Sequence, residues 1–175
     1  MGSGKTTIGT LLARQLAWRF ADLDDRIEEV SGLRISEFFE RFGEPAFRAL
    51  EAEQLRAVLG RAAELKESTV LALGGGTYAQ QGAPEFLRAQ AIPVIWLDTP
   101  IESLLSRCMT MSGRPLFRDE VSFRALHAQR VPSYQLADYR VDSSGDPALV
   151  VAEILRLNLF DGPRESHLVV EKPRS

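Results

Sequence analysis

The first seven residues constrain this chain most. Gly2-Ser3-Gly4-Lys5-Thr6-Thr7 runs directly into a helical repeat in which Ile8, Leu11, Leu12 and Leu16 recur at helical spacing. That pattern predicts an amphipathic helix from Lys5 to Leu16. Glycines before a helix let backbone N–H groups close around phosphate oxygens, and the helix N-terminus adds its positive dipole. In such a loop the lysine reaches the outer phosphates of a nucleotide and the first threonine hydroxyl ligates Mg²⁺. Gly2, Ser3, Gly4, Lys5, Thr6 and Thr7 are therefore the candidate phosphate-binding residues. A bare Gly-Lys-Thr also occurs in flexible tails, but the immediate onset of an apolar helix favours the loop. The full pattern has one more glycine, which falls two positions before Met1, and an apolar strand ahead of it. Two expectations compete: N-terminal truncation, with Met1 an internal methionine, or a naturally shortened and inactive protein.

Downstream, strand and helix signals alternate. Trp18 to Ala21 reads as a strand ending at Asp22-Leu23-Asp24, and Thr69 to Leu73 as a buried strand stopped by Gly74-Gly75-Gly76. Ile92 to Leu97 and Tyr139 to Val141 are two further strands. Helices are predicted over Asp24–Val30, Ile35–Phe42, Pro45 to about Leu59, Pro100 to about Arg107, Val121–Ala137 with a break at Pro132, and Pro147–Leu159. The fold class is α/β, a layered sandwich around a mostly parallel sheet, which places ligands at the carboxyl ends of its strands. At 175 residues this is one domain, 1–159, with helices at about 24–60 and a lid loop at about 109–119. Residues 160–175 lose the pattern and are expected to be a mobile tail.

Composition excludes several classes. A net charge of -3 argues against a nucleic-acid binder. No apolar run approaches the roughly 20 residues of a membrane span, and the N-terminus lacks a signal-peptide core. Met1-Gly2 followed by Thr6 also matches the start of a myristoylation signal, but the phosphate loop is the better use of that glycine. The single cysteine, Cys108, cannot form an internal disulfide, which suits a reducing cytoplasm. Cys108, His127 and His167 have no partners at metal or nucleophile spacing.

Asp22 and Asp24 are alternate residues of a strand end, so both carboxylates could face one site, one toward Mg²⁺ and one toward an acceptor hydroxyl. The alternative is a helix N-cap plus a solvated acid. Arg48 and Glu51 stand one helical turn apart in Glu44-x-x-Phe47-Arg48-x-x-Glu51, as an anion site or as a surface ion pair worth under about 1 kcal/mol. Arg130-x-x-x-Tyr134 reads either as an anion clamp or as part of a solvated face. Three glycines after a buried strand are costly in chain entropy and suggest close approach by a ligand or another backbone. Arg114, before Pro115 in the lid loop, either folds over phosphates or is solvated.

Taken together, Met-Gly-Ser-Gly-Lys-Thr-Thr (1–7), Asp-Leu-Asp (22–24), the Glu-x-x-Phe-Arg-x-x-Glu stretch (44–51), Leu-Gly-Gly-Gly (73–76), Gly-Arg-Pro-Leu (113–116) and Arg-x-Pro-x-Tyr (130–134) resemble the shikimate kinases over roughly 1–159. The resemblance implies a P-loop kinase three-layer sandwich, here lacking its first strand, a strand that in this family lies inside the sheet. It implies a monomeric enzyme that phosphorylates shikimate with ATP and Mg²⁺ in aromatic amino-acid biosynthesis. Lys5 and the 2–7 backbone would hold ATP phosphates, Thr6 and Asp22 Mg²⁺, and Asp24 the reacting hydroxyl. Arg48, Gly74, Gly75, Gly76 and Arg130 would bind shikimate, the arginines pairing with its carboxylate. Arg114 would close over phosphates and Arg107 would lie beside the base. The segment Ser143 to Pro147 aligns with the adenine loop but lacks the arginine often found there. Two alternatives stand beside this reading: another small-metabolite kinase such as a gluconate kinase, and a truncated, non-catalytic nucleotide-binding relative.

Overall fold

In the computed structural model of the chain, residues 2–109, 119–157, 159–160 and 168–173 are described. Helix α1 (Lys5–Leu16) leads into β1 (Arg19–Asp22), α2 (Leu23–Ser31) and the long α3 (Ile35–Leu65). Then come β2 (Thr69–Ala72), α4 (Ala83–Ala89), β3 (Val94–Asp98) and α5 (Ile101–Met109). The chain closes with α6 (Glu120–Tyr134), β4 (Tyr139–Asp142), α7 (Pro147–Leu155) and β5 (Leu168–Pro173).

The predicted elements fall close to these bounds, with informative differences. The two helices predicted over Ile35–Leu59 are one run broken at Gly43, whose φ of 77° and ψ of 174° no helix contains. Pro45 follows at once, where a missing N–H costs least. Helix α6 continues through Pro132 and ends two residues later, so the expected break is the helix terminus itself. Helix α7 stops at Leu155, short of Leu159. The seven-residue α4 went unpredicted, although Pro84 in its first turn marks it.

The sheet has the order β1-β2-β5-β3-β4 with every pairing parallel. Side chains alternate between its faces. Leu71 joins Leu23, Ile27, Phe47, Leu55, Leu59 and Leu87 in a core on the α2–α3 side. Its neighbour Val70 joins Ile8, Leu12, Ile95, Leu97, Val150 and Ile154 in a second core under α1 and α7. This is the expected three-layer sandwich. Strands β2 and β3 are buried along their whole length, which is why they read as continuous apolar runs.

The centre of the sheet departs from expectation. Its middle strand comes from residues far along the chain. Strand β5 lies between β2 and β3, with Val169 in register with Val70 on one side and Val170 with Val94 on the other. Residues 168–173 were expected within a mobile tail; they form the middle strand instead. Leu-Val-Val is a β-prone triplet. Its apolar length is too short to signal a strand in sequence, and its partners lie far away in the chain.

Candidate active site

The carboxyl ends of β1 and β2 and the N-terminus of α1 meet on one edge of the sheet. Gly2 and Gly4 both have positive φ, 77° and 84°. Gly4 is the N-cap of α1, and no side chain caps the helix there. The first N–H groups of α1 are thus left to a ligand or solvent. The Ser3 side-chain oxygen is buried and has no hydrogen-bond partner among the described residues. Arg107 on α5 donates from Nη1 to the Gly2 carbonyl at 2.9 Å, bracing the loop.

Lys5 extends from α1 toward the β1–α2 junction. Its Nζ lies 2.5 Å from Asp22 Oδ2 and 3.4 Å from Asp24 Oδ2. Burial pulls the Lys5 ammonium down, but the Asp24 and Asp22 carboxylates outweigh it and hold its pKa above the ordinary range. Thr6 Oγ1 donates to the same Asp22 oxygen at 2.9 Å. The other Asp22 oxygen accepts from Asp24 N at 3.0 Å, so Asp22 is also the N-cap of α2. The two readings of Asp22 are therefore not alternatives: the carboxylate that caps α2 faces Lys5 and Thr6 with its free edge. Asp24 does not come alongside by strand alternation. Strand β1 ends at Asp22, and Asp24 lies in the first turn of α2 rather than two residues along a strand. The turn of the helix, not strand alternation, brings it to Lys5.

Next to these acids lies the glycine turn. A Cβ on Gly74 would stand 2.8 Å from Asp24 Oδ1, and one on Gly76 would collide with the Arg48 guanidinium. The close approach inferred from the triple glycine is thus made by the protein's own side chains. Tyr134 donates its hydroxyl to the Gly75 carbonyl at 2.7 Å, tying the end of α6 to the turn.

Arg48 donates from Nη1 to Glu51 Oε2 at 2.7 Å and from Nη2 to Glu44 Oε1 at 2.9 Å, and lies over the Phe47 ring at 5.3 Å. The surface-pair reading fails here, because Glu51 is only 1% exposed. Burial raises the Glu51 carboxyl above its ordinary pKa, though Arg48 and Thr77 work against the shift. Arg130, also buried, lines with Arg48 a cavity of about 360 Å³. Glu44, Gly76, Gln80 and Gln129 are among its other lining residues. A cavity lined by two arginines and several neutral polar side chains suits a small carboxylated molecule.

Lys5, Thr6, Asp22, Asp24, Arg48, Gly74–Gly76 and Arg130 thus share one edge of the sheet. Arg114 and most of the lid loop lie outside the described residues. Sequence reasoning missed the inward role of Glu51, and also Thr77 and Gln80. The signal for Glu51 was present: it shares a helix face with Phe47, Leu55, Leu59 and Ala62, all buried.

A family model described as shikimate kinase matches residues 1–158. A shikimate kinase of Gloeobacter violaceus is 41% identical over 162 residues, covering 89% of this chain and 86% of its own. One of Persephonella marina is 37% identical over 157 residues, covering 89% and 92%. Among solved structures, shikimate kinase from Acinetobacter baumannii in complex with shikimate superimposes with a TM-score of 0.81 at 36% identity, covering 90% of this chain and 87% of its own. The Aquifex aeolicus shikimate kinase gives 0.75, also at 36%. The phosphate loop, the paired acids and the arginine-walled cavity thus stand in a chain matched nearly end to end with these relatives, and the chain belongs to the shikimate kinase family.

Proposed function

We propose that this protein transfers the γ-phosphoryl group of ATP to a hydroxyl of shikimate, forming shikimate 3-phosphate and ADP, as a cytoplasmic monomer. The observation that carries the reading is the junction of two sites on one sheet edge: the Lys5–Asp22–Asp24 cluster and the cavity between Arg48 and Arg130. The orphaned Ser3 hydroxyl and the uncapped start of α1 fit a bound phosphate.

In the transfer, the acceptor oxygen forms a bond to the γ-phosphorus while the bond from that phosphorus to the bridging oxygen breaks. The hydroxyl proton leaves toward Asp24 or solvent. The transition state is loose, so alignment and charge neutralisation do most of the work. Lys5 neutralises phosphate charge, and its present contacts with Asp22 and Asp24 are ones that incoming phosphates compete for. Asp24, one-third exposed, aims the hydroxyl. Arg48 and Arg130 read the carboxylate, where bidentate geometry favours arginine over lysine. The Thr6 hydroxyl and Asp22 carboxylate, 2.9 Å apart, are the hard oxygen donors that suit Mg²⁺ beside a nucleotide. That ion would neutralise charge on the phosphate oxygens. Arg114 closes the lid over the phosphates, and Arg107 steadies the loop at the nucleotide side.

A coupled assay for ADP release with ATP and Mg²⁺ tests this. Shikimate-dependent turnover is expected, with none on gluconate. Turnover on gluconate alone would replace the reading with a different metabolite kinase.

A further inference from the structure

Glu51 is a carboxylate that folding has taken almost wholly out of water. A buried carboxylate needs donors on both oxygens, or it takes up a proton. Arg48 supplies one donor. Two more come from the segment after the glycine turn. Thr77 Oγ1 donates to Glu51 Oε1 at 2.5 Å, and Gln80 Nε2 donates to Oε2 at 2.5 Å, the oxygen that also accepts from Arg48. The main chain of this segment is already satisfied by its own turn: Thr77 N donates to Gly74 O at 3.0 Å and Gln80 N to Thr77 O at 3.2 Å. That leaves the two side chains to serve Glu51. Gly74 leaves room for the clamp, since a Cβ there would stand 3.2 Å from Thr77 Oγ1 and 3.3 Å from Glu51 Oε1.

The consequence falls on Arg48. Its other partner, Glu44, is 55% exposed, and an exposed pair of this kind holds a long side chain weakly. The rigid anchor is Glu51, and Thr77 and Gln80 hold its carboxylate in place from both oxygens. Gln80 also lines the arginine-walled cavity, so the clamp on Glu51 borders the space the acceptor would occupy. Taking the shikimate reading above as the frame, we propose that Gln80 and Thr77 are positioning residues. They clamp the Glu51 carboxylate and thereby set the Arg48 guanidinium for the carboxylate of the acceptor.

The test uses Gln80→Met, which keeps the volume and removes the donor. Shikimate binding is measured by calorimetry without ATP, beside full kinetics. Loss of a hydrogen bond to a buried charge is expected to weaken shikimate binding about tenfold. The KM for ATP, and kcat at saturating shikimate, should stay within about twofold, as expected when only ground-state binding is lost. An acceptor bearing a hydroxymethyl group in place of the carboxylate does not use Arg48, so the wild type and the variant should bind it alike. Unchanged shikimate binding, or equal weakening for both acceptors, would overturn the clamp. If Gln80→Met does not melt cooperatively, Thr77→Val removes the donor on the other oxygen and must give the same carboxylate-selective loss. An unchanged Kd there sinks the proposal. A wild-type protein that phosphorylates shikimate beside an unaltered Gln80→Met loses this inference alone, whereas one that binds no shikimate loses both readings.

Discussion

Single side chains in this protein often carry two tasks, and their neighbours decide which dominates. Asp22 caps α2 and also faces Lys5 and Thr6, whereas Asp24 caps nothing and is the better exposed of the two acids. Asp24→Asn is therefore expected to lower kcat by about 10²–10⁴-fold, as for a lost acid–base group, while nucleotide binding persists. Single-turnover kinetics beside a nucleotide titration measures both. A change confined to the Mg²⁺ requirement would exchange the roles of Asp22 and Asp24. Glu51 makes a prediction in pH. Its folded pKa is raised above 4.5 by burial. A raised acid binds a proton more tightly in the folded state, so the stability it contributes is present below 4.5 and is lost as pH climbs through the folded value. Glu51→Gln should flatten that part of the stability curve, read by thermal melts from about pH 4 to 7. The same slope in both proteins would mean that Glu51 does not titrate there.

At the level of elements, the break inside α3 decides where Arg48 points. Gly43 leaves the helix with a backbone conformation close to glycine-only space, and Glu44 and Arg48 lie on the segment that resumes after it. The nearest atom to a Cβ at Gly43 would be Pro45 Cδ at 3.8 Å, so a side chain there meets no clash. Any cost of Gly43→Ala is therefore backbone strain, on the order of 1–3 kcal/mol. For a domain of this size the melting temperature should fall by about 2–4 °C per kcal/mol. An unchanged melting temperature would show that the break relaxes freely into helix. The break itself could be placed from Phe42-Gly43-Glu44-Pro45, because glycine and proline act on the backbone locally. The burial of Glu51, two turns further on, depends on what packs against that face.

For the molecule as a whole, the least expected feature is the origin of the middle strand. Strand β5 lies beyond the residues matched by the family model, yet it pairs with β2 and β3 on both sides. Without it, buried N–H and C=O groups of two inner strands lose their partners, at about 1–3 kcal/mol each. Total stability is only about 5–15 kcal/mol, so a few such losses suffice to unfold the domain. Deleting residues 161–175 is expected to abolish the cooperative melt, or to lower its midpoint sharply, in side-by-side calorimetry with the full chain. Equal melting of the two proteins would mean that β5 contributes nothing to the sheet.

From the sequence alone came the phosphate loop, the α/β alternation, the breaks at Gly43 and the glycine turn, and the residues that gather at the site. These rest on local rules: helical spacing, backbone freedom at glycine, and the donor chemistry a phosphate requires. Tertiary structure decided which acids are buried, that Thr77 and Gln80 serve Glu51, and that residues 168–173 fill the middle of the sheet. Each of these depends on groups brought together across long stretches of chain. A strand of six residues far from its partners leaves little periodic signal, and the apolar helix face that carries Glu51 shows that this acid turns inward but not which donors meet it. Pairing and desolvation are set by the assembled neighbours, which no local pattern encodes.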